Sequence, residues 1–322
     1  MAAAPAPQVS VIIPVRNGKD YIQEAIDSVL WQDFADFEII VIDDGSNDFD
    51  YATLANQDPR IRVVRLDGRG VSHARNTGMR LARGEFFAFL DADDVWFPGK
   101  LSAQLNYFAR HPEVGVVFGR FVKWTRDDSG RFPPVQSLVK DCRDLDQAEP
   151  GRSGWIYTRL LLGLLVGMNT AVIRRSIYRQ IGGFNEAMRV GEDYDFWLKA
   201  SRLAEMHSLT GVVALYRIHD ASAMHRLSPE NHLATLLNSA HFRWGTRNPD
   251  GSAISEREFR LRLGRTYFDH GYSHFWLGSP VVARNAFFHA LLGGGRRARA
   301  LVYLVLAGLK SVAPSRPRKA VH

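Results

Sequence analysis

Two apolar runs that break off in carboxylates constrain this chain more than any other feature. Glu38-Ile39-Ile40-Val41-Ile42 stops at Asp43-Asp44-Gly45-Ser46, and Phe86-Phe87-Ala88-Phe89-Leu90 stops at Asp91-Ala92-Asp93-Asp94. Runs this short and apolar read as buried strands, so the acids emerge where each strand leaves its sheet. A third run, Val9–Val15, ends in Arg16-Asn17-Gly18, and residues 61–66 form a further strand-like stretch. Tyr21, Ile22, Ile26, Val29 and Leu30 recur at helical spacing, and a second helix is predicted over Val71–Leu81, closed by Gly84. The resulting β-α-β-α-β order predicts an α/β fold. Its central sheet is mostly parallel, flanked by helices, and has a ligand crevice beyond the carboxyl ends of the strands. Asp43-Asp44 and Asp91-Asp93 are predicted to share that crevice.

Asp91 and Asp93 are two apart, which in extended backbone points both to one side. Hard divalent ions take oxygen ligands of this kind together with phosphate oxygens, so the motif suggests a metal-held diphosphate. An isolated Asp-x-Asp is more often a solvated turn; its place at the end of a buried strand, beside a second acid pair, favours the cation. Farther on, Glu192-Asp193 precedes Tyr194, Phe196-Trp197-Leu198 and Leu203, whose spacing predicts a helix with one apolar face. Acids at a helix start commonly serve only as caps.

With 322 residues, 46% of them hydrophobic, the chain has enough apolar material for one large core with an appended module. A single cysteine, Cys142, excludes an intramolecular disulfide, and Met1-Ala2-Ala3-Ala4-Pro5 lacks the basic start and apolar stretch of a secretory signal. A cytoplasmic location is the expectation. The net charge of +7 is concentrated in the last fifty residues. No Asp or Glu follows Asp269, while Arg284, Arg296, Arg297, Arg299, Lys310, Arg316, Arg318 and Lys319 do, so the body of the chain is nearly neutral. No aromatic-basic platform accompanies these charges, so nucleic acid is not an expected partner. Gly68-Arg69-Gly70 has His73 where a dinucleotide fingerprint needs its third glycine, and no P-loop signature occurs.

In this order the motifs resemble those of family 2 glycosyltransferases of GT-A fold. The residues that carry the resemblance are Val-Ser-Val-Ile-Ile-Pro-Val-Arg-Asn-Gly at 9–18, Asp43-Asp44-Gly-Ser and Gly-Val-Ser-His-Ala-Arg-Asn-Thr-Gly at 70–78. They continue with Phe-Leu-Asp-Ala-Asp-Asp ending at Asp94, Ile181-Gly182-Gly183-Phe184, Gly191-Glu192-Asp193-Tyr194-Asp195 and Tyr216-Arg217-Ile218-His219. The resemblance covers about residues 8–220. It implies inverting transfer of a sugar from a nucleotide-diphosphate donor to an acceptor hydroxyl, in cell-surface polysaccharide or glycolipid synthesis, with Mg²⁺ or Mn²⁺ on the diphosphate. It further implies that Pro14, Val15, Arg16, Asp43, Asp44, Arg75 and Asp91 bind the nucleotide sugar, with Asp44 at the base edge and Asp43 supporting the turn. Asp93 is implied as metal ligand, with Asp91 sharing the metal, Asp193 as general base and Glu192 as a residue of the acceptor site. Arg16 departs from the stacking aromatic of many relatives, which leaves the base open. His219 is either a further metal or diphosphate ligand or a packing residue. A catalytically silent nucleotide-sugar-binding protein on the same fold is the alternative, though such a protein would be expected to have lost the base or metal acids.

The expected organisation is a catalytic domain over 1–220 and a helical C-terminal region over 221–322. Leu233, Leu236, Leu237, Tyr267, Tyr272, Phe275, Trp276 and an apolar run at 301–309 mark its helices, with Gly293-Gly294-Gly295 as a break. The basic end suits either an anionic membrane surface, placing the protein on the inner face of the cell membrane beside a glycan or lipid-linked glycan acceptor, or a packing helix with a disordered tail. Residues 155–168, rich in leucine and placed before the acceptor-side motif, read as a buried helix in preference to the lining of an acceptor groove.

Overall fold

The computed structural model describes residues 5–219, 227–294 and 296–312. Its contacts divide into two compact units, Met1–Ser222 with Asn248–Asp250, and Ala223–Arg247 with Gly251–His322.

The first unit opens with β1 (Val9–Val15), α1 (Ile22–Leu30), β2 (Phe37–Asp43), a short 3₁₀ segment (Tyr51–Asn56), β3 (Ile61–Arg65), α2 (Val71–Leu81) and β4 (Phe86–Phe89). β3, β2, β1 and β4 lie side by side and all three pairings are parallel. β1, β2 and β4 are buried along their whole length, as strands covered on both faces must be. One cover is α1, whose Ile22, Ala25, Ile26 and Val29 join Val11, Ile13, Ile39 and Val41 in the main core. The other is α2, pressed so closely on β1 that a Cβ at Gly78 would meet Ile12 Cγ2 at 2.6 Å. The step from β2 to β3 uses the 3₁₀ segment, so the expected alternation becomes β-α-β-β-α-β.

The unit continues with β5 (Val95–Trp96), α3 (Lys100–Arg110), β6 (Val114–Trp124), α4 (Tyr157–Leu162), β7 (Val172–Arg174), α5 (Arg175–Ile181), α6 (Glu192–Ala200) and β8 (Glu205–Arg217). Eight strands form one sheet in the order β3-β2-β1-β4-β7-β6-β8-β5. Its second half is mixed: β7 runs antiparallel to β4 and β6, and β5 to β8, while β6 and β8 are parallel. The buried helix expected over 155–168 shrinks to the six residues of α4, because Gly163 stops it; Leu160, Leu161 and Val166 are buried, but Leu164 is 56% exposed. Leu203 likewise falls beyond the end of α6 and is partly exposed.

The second unit contains α7 (His232–Trp244), α8 (Glu256–Leu277), α9 (Pro280–Gly293) and α10 (Arg297–Val312). Ser255 and Glu258 form a reciprocal capping box at the start of α8, and Ser279 with Pro280 starts α9. Its core is Phe268, Phe275, Phe287 and small residues, Ala283, Ala290, Ala300 and Ala307. Among the described residues no helix is long and apolar enough to cross a membrane. The expected basic tail at 313–322 and the stretch 220–226 lie outside the described residues.

Candidate active site

The carboxyl ends of β1, β2 and β4 deliver three loops to one edge of the sheet. Val15 at the end of β1 accepts the Asp44 N–H at 2.8 Å, tying the first loop to the second. Asn17, with φ +52°, donates its N–H to Ser46 Oγ at 2.9 Å, and its side-chain oxygen accepts the Asn47 N–H at 2.9 Å. Pro14 and Val15 are buried, and Arg16 is exposed with its guanidinium near Gly68. Asp43 accepts the Ser46 N–H at 2.8 Å and pairs with Arg65 at 2.7 Å, which holds the Asp43–Ser46 turn. Asp44 is also buried, and its two oxygens accept the Arg69 and Gly70 N–H groups at 2.9 and 2.8 Å. It thereby clamps the loop that leads into α2, a backbone role that motif position alone does not reveal.

From that loop α2 carries Arg75 into the interior, where it is 4% exposed. Its Nη2 donates to Asp91 Oδ1 at 2.7 Å and its Nη1 to Glu192 Oε1 at 3.0 Å. Burial works against its charge, but the neighbouring Asp91 and Glu192 carboxylates outweigh that and raise its pKa. Next to Arg75 in the chain, Asn76 holds the approach to α6: its side chain donates to the Phe184 carbonyl at 2.9 Å and accepts the Phe184 N–H at 2.8 Å. Gly183 sits at φ +109°, and a Cβ there would meet Asn76 Oδ1 at 2.6 Å. Phe184 in turn stacks on Phe196 of α6 at 4.3 Å between ring centroids. α6 begins after Gly191, at φ +80°, and places Glu192 and Asp193 in its first turn. Asp193 accepts the Tyr194 N–H at 2.7 Å, and Asp195 pairs with Lys199.

The turn after β4 closes when the Asp94 N–H donates to the Asp91 carbonyl at 3.0 Å. Asp93 Oδ2 lies 2.9 Å from His219 Nε2, and the His219 ring rests 5.0 Å from that of Tyr21. Asp94 is 1% exposed and accepts from Asn169 Nδ2 at 2.7 Å and from the Arg217 N–H at 2.9 Å. The Arg217 side chain donates Nε to the Asp93 carbonyl at 2.7 Å, pairs with Glu24 and lies 3.8 Å over the Trp124 ring. Asn169 is fixed by the Trp96 indole N–H, which donates to its carbonyl at 2.7 Å.

Negative charge is in excess here. Burial, then the Asp91 charge, raises the pKa of Asp93; burial, then the Asp93 and Asp91 charges, raises that of Asp94 well above the ordinary range. Burial likewise raises Glu192 and Asp193 in spite of Arg75. The Tyr216 phenol is pushed up to about 12 by burial and then by Asp94, Asp91, Asp93 and Asp193. Such an assembly of carboxylates fits a hard cation. Of the expected ligands, Asp93 and His219 are in contact, whereas an oxygen of Asp91 is on Arg75; no group of three or more His, Cys, Asp or Glu side chains among the described residues is gathered to hold a metal ion. Asp94, Asn76 and Arg217 lie inside the motifs that carried the resemblance, without an assigned role there. Asn169 and Glu24 had no signal in the sequence, because their roles exist only through contacts made across the fold.

Residues 10–181 match the family description "Glycosyl transferase family 2". An uncharacterized glycosyltransferase of Rickettsia typhi is 32% identical over 67% of this chain and 65% of its own length. The UDP-Glc:alpha-D-GlcNAc-diphosphoundecaprenol beta-1,3-glucosyltransferase WfgD of Escherichia coli is 30% identical over 59% of this chain and 68% of its own. The chain spans just under two thirds of the Rickettsia typhi relative, and only 38% of another from Rickettsia felis. Among solved structures, S. aureus TarS in complex with UDP-GlcNAc superposes with a TM-score of 0.62 at 21% identity, covering 94% of this chain and 88% of that one. The mannosyltransferase PcManGT from Pyrobaculum calidifontis, in complex with GDP-Man and Mn²⁺, superposes with a TM-score of 0.56 at 22% identity, covering 96% and 88%. At these identities the structural likeness is one of fold. The ordered motifs, the sheet that presents them and the match over 10–181 together establish that this chain belongs to glycosyl transferase family 2.

Proposed function

We propose that this protein transfers a sugar from a nucleotide-diphosphate donor to an acceptor hydroxyl with inversion, in the synthesis of a cell-surface polysaccharide or glycolipid. The observation that carries this reading is the double engagement of Arg75, which joins Asp91 of the donor-side motif to Glu192 of the acceptor-side motif. Asp193, next to Glu192, takes the proton of the attacking hydroxyl as that oxygen approaches the anomeric carbon. One displacement opposite the leaving diphosphate inverts that carbon. Burial raises its pKa and so makes it a stronger base than an ordinary aspartate, with the Arg75 charge acting against that rise. Glu192, fixed by Arg75, orients the acceptor. The loops of Pro14, Val15, Arg16, Asp43 and Asp44 receive the nucleotide, with Asp44 keeping the loop before α2 in place.

Asp93, with His219 and Asp91, would hold Mg²⁺ or Mn²⁺, which when bound would supply positive charge to the departing diphosphate. The Mn²⁺ and GDP-Man of the Pyrobaculum mannosyltransferase, the UDP-GlcNAc of TarS and the lipid-linked acceptor in the name of WfgD support a metal, a nucleotide sugar and a glycan or lipid-linked glycan acceptor for this chain. A peripheral position on the inner face of the cell membrane belongs to the same reading. The test is a panel of UDP-, GDP- and dTDP-sugars, each with Mg²⁺ or Mn²⁺, followed by thermal unfolding and by release of the nucleoside diphosphate. At a hundredfold excess over Kd one donor should stabilise the protein by about 2.7 kcal/mol. If no donor in the panel stabilises it or is turned over, the proposal is wrong.

A further inference from the structure

We propose that α10 lies flat on an anionic lipid surface, inserting the exposed aliphatic face of the helix between headgroups. This deepens the peripheral-membrane reading above and is independent of the transfer chemistry. α10 is turned inside out for a helix in water. Its packing side is small and aromatic: Ala300 and Ala307 are fully buried, and Tyr303 and Leu304 pack with Phe268, Phe275 and Phe287. Its bulky aliphatics point away. Leu301, Val302, Val305, Leu306 and Leu309 are 54%, 56%, 56%, 42% and 67% exposed. At 100° per residue these five occupy one arc of roughly 140°, a continuous stripe opposite Ala300 and Ala307.

Charge selects the occupant. On the helical wheel Arg297 borders the stripe beside Leu301, and Arg299 and Lys310 border it on the other side beside Leu306; all three are exposed. Lys310 donates Nζ to the Phe275 carbonyl at 2.6 Å, which pins the end of the helix and leaves Arg297 and Arg299 as the headgroup-facing cations. No Asp or Glu occurs in α10 or anywhere after Asp269, and Arg316, Arg318 and Lys319 follow in the sequence. An aliphatic stripe flanked by one arginine on each side, with no acid in the helix, matches the boundary between acyl chains and anionic headgroups. With 16 residues and four charged side chains at 297, 299, 310 and the adjoining 296, the helix is unsuited to cross the bilayer, so it lies in the surface plane.

The experiment is co-sedimentation of the full chain with vesicles of phosphatidylglycerol and phosphatidylcholine, against vesicles of phosphatidylcholine alone. Binding is expected only to the anionic vesicles. Val305→Glu with Leu309→Glu keeps every cation and should weaken binding about tenfold or more, and Arg297→Gln with Arg299→Gln should weaken it and flatten its salt dependence. All four positions are exposed, so unchanged thermal unfolding checks that the variants fold. As a second readout, a fluorophore on Leu309→Cys, in a Cys142→Ser background, should shift to the blue on anionic vesicles. Vesicle binding that survives the glutamate pair, or a fluorophore that does not shift, overturns the proposal. So does a stripe that proves to join two copies of the chain, with the glutamate pair turning a dimer into a monomer while lipid binding is unaffected.

Discussion

Asp91 and Glu192 share a single guanidinium: Arg75, itself 4% exposed, donates to Asp91 at 2.7 Å and to Glu192 at 3.0 Å. The loop after β4 and the first turn of α6 are thus held together by one buried cation, and removing it leaves two carboxylates facing each other across a low-dielectric gap.

Arg75→Met should therefore destabilise the protein by about 3 kcal/mol, the usual cost of breaking a buried pair from one side. Urea unfolding measures it. Arg75→Lys should recover only part of the loss, since an ammonium cannot serve both carboxylates with the geometry of a planar fork. A change under about 0.5 kcal/mol for the methionine variant would show that neither pair contributes to stability.

Asp193→Asn should retain donor binding, read by calorimetry, and lose transfer by about a hundredfold or more, the range for a removed general base. In the parent protein the rate should fall on acidification at a pH above the ordinary aspartate value of 3.8, because burial raises the pKa of Asp193 and only the ionised form accepts a proton. Full activity in the asparagine variant would remove the assignment.

Asp93→Ala and His219→Ala address the metal. Asp93 and His219 are in contact at 2.9 Å, so each variant should weaken donor binding in the presence of Mn²⁺ and leave metal-free nucleotide binding nearly as it was. Calorimetric affinity with Mn²⁺ that is the same in parent and variants would exclude both as ligands.

Lys100 offers a test of the fold that is independent of function. It is fully buried, its amine lies 4.0 Å over the Trp96 ring and donates to Gln104 at 2.8 Å, and burial lowers its pKa from 10.5 to about 7. Between those values the unfolded chain holds a proton that the folded chain does not, so stability rises with pH, by roughly 1.4 kcal/mol per unit at most. The penalty is complete below pH 7 and gone above 10.5. Lys100→Met has no such slope, so the stability difference between variant and parent should shift steadily in favour of the parent as pH rises through that window. Parallel pH profiles would mean that the lysine is not neutral inside the fold.

Much of the first unit was legible because its signals are local. A short, β-branched apolar run such as Val11-Ile12-Ile13 reads as a buried strand, and the spacing of Ile22, Ile26 and Val29 reads as a helix with one dry face. The strand ends then located Asp44 and Asp91 without reference to the rest of the chain. The second half of the sheet was not legible. β5 and β7 are two and three residues long, too short for a period to show, and their antiparallel pairing comes from partners elsewhere in the chain. Leu164 and Leu203 are apolar yet exposed, because Gly163 and the end of α6 turn the chain before they reach the core.

The sequence by itself determined which residues carry charge and where strands release them, since hydrophobic periodicity and turn chemistry act over a few residues. Tertiary structure alone decided the pairings. Arg75 faces Glu192, Asp94 is held by Asn169 and Arg217, and Asp44 is spent on the backbone of another loop, because burial makes each of these groups find a partner wherever packing brings one within reach.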